Sequence, residues 1–118
     1  MQVIRGAKIA PPRITLYGED KIGKSTWAAS ADSPLFIPTE DGVDEIGPDR
    51  VERCATYADF KASVAFAAKD DEHATVVVDN LSGLEVLIHA HVARVGGLAS
   101  IEDFGYGKGY AKAEEVWA

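Results

Sequence analysis

The sequence predicts an α/β fold with a mainly parallel sheet, and three observations predict it. β-prone runs at 13–17, 34–39 and 75–79 alternate with helix-compatible stretches at 23–31, at 57–69 and beyond Ser82, the order expected of parallel strands joined by helices. Thr75-Val76-Val77-Val78-Asp79 sets three β-branched residues in succession, the pattern of a strand buried on both faces. Gly18–Thr26, reading G-E-D-K-I-G-K-S-T, stands between the first β-prone run and the first helical stretch, where the chain must turn sharply.

That turn matches G-x-x-x-x-G-K-[ST], the phosphate-binding loop (Walker A motif) of nucleoside triphosphatases. Gly18 and Gly23 permit backbone turns that let successive amides, those of Glu19, Asp20, Lys21 and Ile22 among them, point at phosphate oxygens. Lys24 is a point charge that reaches the β- and γ-phosphates. Ser25 offers a hydroxyl to Mg²⁺, and Thr26 closes the motif. The helix that starts near Gly23 adds its positive end. A chance match in a chain of this size is roughly a one-per-cent event, so phosphate binding outweighs a Gly-rich surface turn.

At 118 residues the chain holds at most one domain, small for this class. Residues 1–12 read as an arm ending in Pro11-Pro12, and 13–118 as the core. A hydrophobic content of 47% suits a globular core, while a net charge of −7 and a pI near 4.8 argue against a surface that coats nucleic acid. Arg5, Lys8 and Arg13 are a basic lead-in best read as solvated. Cys54, the single cysteine, excludes an internal disulfide and reads as a buried apolar residue. No apolar run approaches the length of a membrane span, and no secretory leader is visible.

In chain order, Arg13-Ile14-Thr15-Leu16-Tyr17 predicts the strand that feeds the loop. The helix after it runs to about Ala31, before Pro34. Leu35-Phe36-Ile37 predicts a buried strand over 34–39 ending in Thr39-Glu40-Asp41-Gly42. Ligand-facing residues of open parallel sheets sit at the carboxyl ends of strands. Glu40 therefore stands on the same edge as the phosphate loop, or else belongs to an ordinary acidic turn. Residues 43–49 read as a loop or one helical turn, and Val51 to Ala55 as a short strand. Thr56-x-x-Asp59 resembles a capping box, and Phe60, Val64 and Ala67 follow at helical spacing. His73 reads as solvated. Asp79, at the end of the Val run, is placed to hold Mg²⁺ directly or through water, as in a Walker B motif; capping of the next helix is the alternative. Ser82-x-x-Glu85 reads as a second capping box. Leu84, Leu87, Ile88, His91, Val92 and Val95 form the stripe behind it, with His91 as a satisfied core residue. Residues 96–109 carry five glycines with Phe104 and Tyr106 between them, a loop able to stack on bases, to close over a nucleotide, or only to connect. Tyr110, Ala113 and Trp117 share one face of a last helix.

Gly18–Thr26, the Phe36-Ile37-Pro38-Thr39-Glu40 strand end and Val76–Asp79 resemble, in order and spacing, the P-loop NTPase core of the RecA-like kind, a three-layer α/β/α fold. More closely, the chain is similar to phage and prophage AAA-type P-loop ATPases with a RecA-like core, which serve single-strand annealing or recombination. Phe104-Gly105-Tyr106-Gly107-Lys108-Gly109-Tyr110 is similar to a segment of those proteins. The resemblance implies ATP and Mg²⁺ as cofactors, single-stranded DNA as a partner, self-association, and the cytoplasm of a bacterial host. It also implies the base. Many related ATPases follow the second-motif acid with a glutamate, where this chain has Asn80. RecA-like proteins instead carry a water-activating glutamate at the end of the strand after the first helix, and Glu40 matches it; Glu85 is the weaker candidate. In the RecA-like sheet the phosphate-loop strand lies between two strands that follow the second motif. The chain is therefore expected to be the N-terminal part of a longer ATPase, with open strand edges that favour self-association.

These readings predict an ATP-binding, ATP-hydrolysing domain in which Lys24 and the loop amides hold phosphates, Ser25 and Asp79 hold Mg²⁺, and Glu40 orients the attacking water. A small-molecule or nucleotide kinase is the alternative. Kinases of this class add an Arg-rich lid, and only Arg94 lies after Asp79. A non-catalytic, nucleotide-dependent interaction module is the other.

Overall fold

Among the described residues, two strands and four helices position the site. The structure, a computed structural model, describes residues 3, 5, 6, 10–19, 21–43, 46–98, 100, 102 and 107–117. In order these form α1 (Lys24–Ala29), β1 (Pro34–Pro38), α2 (Tyr57–Lys69), β2 (Thr75–Asp79), α3 (Leu81–Val95) and α4 (Lys108–Trp117). β1 and β2 pair in parallel, with Pro34 opposite Thr75 and Pro38 opposite Asp79. Parallel neighbours need a crossover, and α2 supplies it. The register brings the carboxyl ends of both strands to one edge.

The core lies where α3 meets its neighbours. Leu84, Ile88 and Val92 repeat every four residues, so they stack on one face of α3. They bury together with Ala113 of α4, against Tyr57, Phe60, Val78 and Val116. Removing each of these large side chains from water contributes about 1.5–3 kcal/mol. In the sheet, Phe36 and Ile37 are fully buried. Cys54 is buried as expected, its Sγ 3.7 Å from Ser63 Oγ.

Local signals set the helix starts. Thr56 Oγ1 accepts from the Asp59 amide and Asp59 Oδ2 accepts from the Thr56 amide, each at 3.1 Å, so the capping box at α2 forms as read. The box read at Ser82 does not start α3. Asn80 caps that helix, its side chain accepting from the Gly83 amide. Asparagine is among the strongest N-cap residues, and it precedes Ser82 in the chain.

Several expectations are corrected. The strand expected at 13–17 does not form: among the described residues no neighbour pairs with it, and Ile14, Leu16 and Tyr17 are 69%, 45% and 90% exposed. A strand exists only with a ladder partner, which β propensity cannot supply. The strand expected at Val51–Ala55 is reduced to one parallel bridge, Arg50 opposite Phe36. The Val51 amide donates to Phe36 O and the Cys54 amide to Pro38 O, so this segment runs beside β1 without becoming regular. β2 is not buried on both faces; Val76 is half-exposed. The inward face of α2 carries Tyr57, Phe60, Ser63 and Ala67, with Val64 exposed. The inward face of α4 carries Gly109, Ala113 and Val116 rather than Tyr110 and Trp117. Tyr110 is held at the rim, its hydroxyl donating to Glu102 at 2.5 Å and its ring edge-on to His89.

Two histidines also differ from expectation. His91 packs its ring 4.8 Å from that of Tyr57, but its Nδ1 is buried with no hydrogen-bond partner among the described residues. His73 is not solvated. Its Nδ1 lies 2.5 Å from Asp70 Oδ2 and its Nε2 2.9 Å from Asp49 Oδ2. Asp49 lies 24 positions upstream, out of reach of any local reading. The glycine-aromatic run at Phe104, Gly105 and Tyr106, and the basic lead-in at Lys8, lie outside the described residues.

Candidate functional site

The phosphate-loop motif ends where α1 begins. Gly23 sits at the N-cap of α1 with φ +105°, and no side chain caps the helix. L-residues rarely adopt that backbone. At Gly18 a Cβ would stand 3.2 Å from Ile22 Cγ2, a tight contact that the exposed Ile22 side chain would relieve by shifting. Lys21 also has positive φ, 63°. Lys24 folds back over the loop, its Nζ donating to Gly18 O at 2.6 Å and to Glu19 O at 2.9 Å. The ammonium is thus held at the turn of the motif by two carbonyls. Thr26 lies exposed in the first turn of α1, and Asp20 lies outside the described residues.

The second motif reaches the first. Ser25 Oγ donates to Asp79 Oδ2, a partly buried contact between residues 54 apart. It ties α1 to the carboxyl end of β2. A hydroxyl and a carboxylate oxygen side by side are hard donors that suit Mg²⁺, which takes one or two protein oxygens and keeps water and phosphate for the rest. The residues present therefore fit the cation expected of this motif.

Glu40 follows the buried end of β1 on the same edge. Thr39 beside it is 6% exposed and locks the two strand ends together: its amide donates to Asp79 O at 2.8 Å, its hydroxyl donates to Asn80 O at 2.8 Å and accepts from the Asn80 amide at 3.0 Å. The Asp79–Asn80 peptide is cis. The Glu40 carboxylate is exposed but not loose, because Asn80 Nδ2 donates to its Oε2 at 3.0 Å. Glu85, by contrast, points one turn along α3 toward His89, at 3.8 Å.

Ser25, Asp79, Asn80, Thr39 and Glu40 thus form one chain of contacts along the carboxyl edge of the sheet, with the Lys24 loop attached through Ser25. Asn80, Thr39 and Gly83 were not read as site residues from the sequence. The signal for Asn80 was its N-cap position directly after a strand. Thr39 and Gly83 carried none, since their role comes from packing across 40 residues or more. At the opposite edge, Asp70, Glu72 and His73 bring three possible metal-ligand atoms together. Asp70 and His73 are already engaged there: Asp70 accepts from the Glu72 amide and from His73.

No helix among the described residues is long and apolar enough to cross a membrane. Compared with known proteins, residues 10–118 match the model of a family described as AAA domain. The SPbeta prophage-derived uncharacterized protein YorG of Bacillus subtilis (strain 168) is 28% identical over 113 residues, an alignment covering 88% of this chain. The chain spans only 34% of the length of that relative. No solved structure matches the chain.

Proposed function

The chain belongs to the AAA-domain family, and from that premise we propose that it is an ATP-binding and ATP-hydrolysing domain with a RecA-like core, phage-derived, serving DNA recombination or single-strand annealing. The observation that carries the reading is the meeting of Ser25 and Asp79, which joins the two sequence motifs such a site requires. In this reading residues 13–118 form the nucleotide-binding core and 1–12 an arm. The amides of residues 18–26 and the Lys24 ammonium bind the phosphates. Ser25 Oγ and an Asp79 oxygen hold Mg²⁺. Glu40 accepts a proton from the attacking water. Bound Mg-ATP supplies the phosphoryl group and, through its cation, part of the charge neutralisation at the transition state.

The phage origin is supported by the prophage relative, and the role in DNA metabolism by the resemblance of Phe104–Tyr110 to a segment of phage recombination ATPases. With a net charge of −7, contact with single-stranded DNA is confined to a local surface. The proposed compartment is the host cytoplasm. The test is ATP turnover by the full-length protein with and without single-stranded DNA. Stimulation by DNA supports the reading. Phosphoryl transfer to a small-molecule acceptor, with indifference to DNA, overturns it in favour of a kinase.

A further inference from the structure

We propose that Asn80 is a positioning residue: its side-chain amide holds the Glu40 carboxylate in place and couples it to the first turn of α3. The inference rests on Glu40 being the base, as above, and adds what fixes it. Glutamate has rotatable bonds whose freedom opposes any single geometry, and Glu40 is exposed. What restrains it is the donor at 3.0 Å from Oε2.

The orientation of that donor follows from chemistry. The Gly83 amide can only donate, and it points at Asn80 Oδ1 at 2.7 Å. The Glu40 carboxylate, when ionised, can only accept. Turning the amide over would set two donors together at Gly83 and two acceptors together at Glu40. One orientation satisfies both ends, so the bond that starts α3 also aims Nδ2 at the base. A donor to a carboxylate is a charge-assisted bond, stronger than a neutral one.

Packing enforces the same arrangement. A Cβ on Gly83 would lie 2.3 Å from Thr39 Oγ1, 2.9 Å from Thr39 Cβ and 3.0 Å from Glu40 Cγ. The first turn of α3 therefore lies against the Thr39 and Glu40 side chains at the end of the strand. Thr39, bonded to both the amide and the carbonyl of Asn80, holds the two strand ends at fixed separation. A shift of that turn moves the Asn80 amide, and the carboxylate moves with it.

Two substitutions separate this role from simple capping. Asn80→Ser keeps an N-cap oxygen but cannot reach Glu40. Asn80→Asp keeps the cap acceptor and places a like charge against Oε2. In the 118-residue chain, the Asn80 side-chain amide resonance should be distinct and slow to exchange in wild type, and should shift in Glu40→Gln. In the full-length protein, Asn80→Ser should lower kcat about tenfold with KM within about threefold, and Asn80→Asp should move the acidic limb of the pH–rate profile to higher pH. A freely exchanging, unshifted Asn80 amide overturns the proposal, as do wild-type kcat and pH profile in both variants while Glu40→Gln is inactive. Normal turnover by Glu40→Gln removes the base assignment itself, and the coupling falls with it.

Discussion

Ser25 on α1 and Asp79 at the end of β2 are joined by one hydrogen bond, although 54 positions separate them. If that pair holds a cation, charge matters more than shape. Asp79→Asn keeps an acceptor for Ser25 but loses the negative charge, so ATP affinity in the presence of Mg²⁺ should drop about tenfold or more while affinity in EDTA changes little. Titration calorimetry under both conditions decides. An equal loss in both would mean that Asp79 only braces α1.

Lys24→Ala removes the cation that two loop carbonyls hold over the motif. The expected cost is on the order of 2–4 kcal/mol of ATP affinity. Equal Mg-ATP affinities for wild type and variant would rule out the phosphate-loop reading.

Glu40→Gln keeps size and hydrogen bonding but cannot accept a proton. In the full-length protein it should leave ATP binding within about threefold and cut turnover by roughly a hundredfold or more. Glu85→Gln, whose side chain faces His89, should turn over normally. The reverse pattern moves the base to α3.

His73 makes stability depend on pH. Its pKa is raised, first by the hydrogen bond to Asp49 and then by that to Asp70. The Asp70 carboxyl is lowered, first by the Glu72 amide and then by His73. A raised histidine stabilises fully below its unfolded value of about 6.5, and that contribution is lost as pH rises through the folded pKa. A lowered aspartate stabilises above its ordinary value of 3.8, and that is lost as pH falls. Both contributions coexist between about pH 4 and pH 6.5. Thermal melts should show wild type losing more stability than His73→Gln between pH 5.5 and pH 8.5. Parallel pH curves for the two proteins would count against the clamp.

Ile14, Leu16, Tyr17, Ile22 and Trp27 are all exposed around the phosphate loop. Exposed apolar side chains of this size favour association where they adjoin. The 118-residue chain should sediment with a concentration-dependent mass, and Leu16→Lys with Tyr17→Lys should reduce it. A stable monomer at every concentration, with a high melting temperature, contradicts self-association.

Much of the fold was legible where the signal is local. Thr56 and Asp59 announce α2 within four residues, and the valines with Asp79 mark β2 to the residue. The phosphate loop and Asp79 could be paired because motif spacing carries them. Other features depend on partners the local sequence does not name. The 13–17 run has β propensity but no ladder. His73 is held from 24 positions away, and Gly83 is required because Thr39 lies against it. The edge of the site was readable from Glu40 and Asp79, while what binds them together, Asn80 and Thr39, emerged only from the geometry.

The α1 helix has six residues and buries none of them, well short of what an isolated helix needs to persist in water. Its amides should therefore exchange with solvent through inexpensive local opening, far faster than those of β1. A phosphate ligand seated on this loop would order the helix as it binds. Its calorimetric signature would then carry a conformational entropy penalty and a favourable enthalpy, larger than a preformed cradle would give.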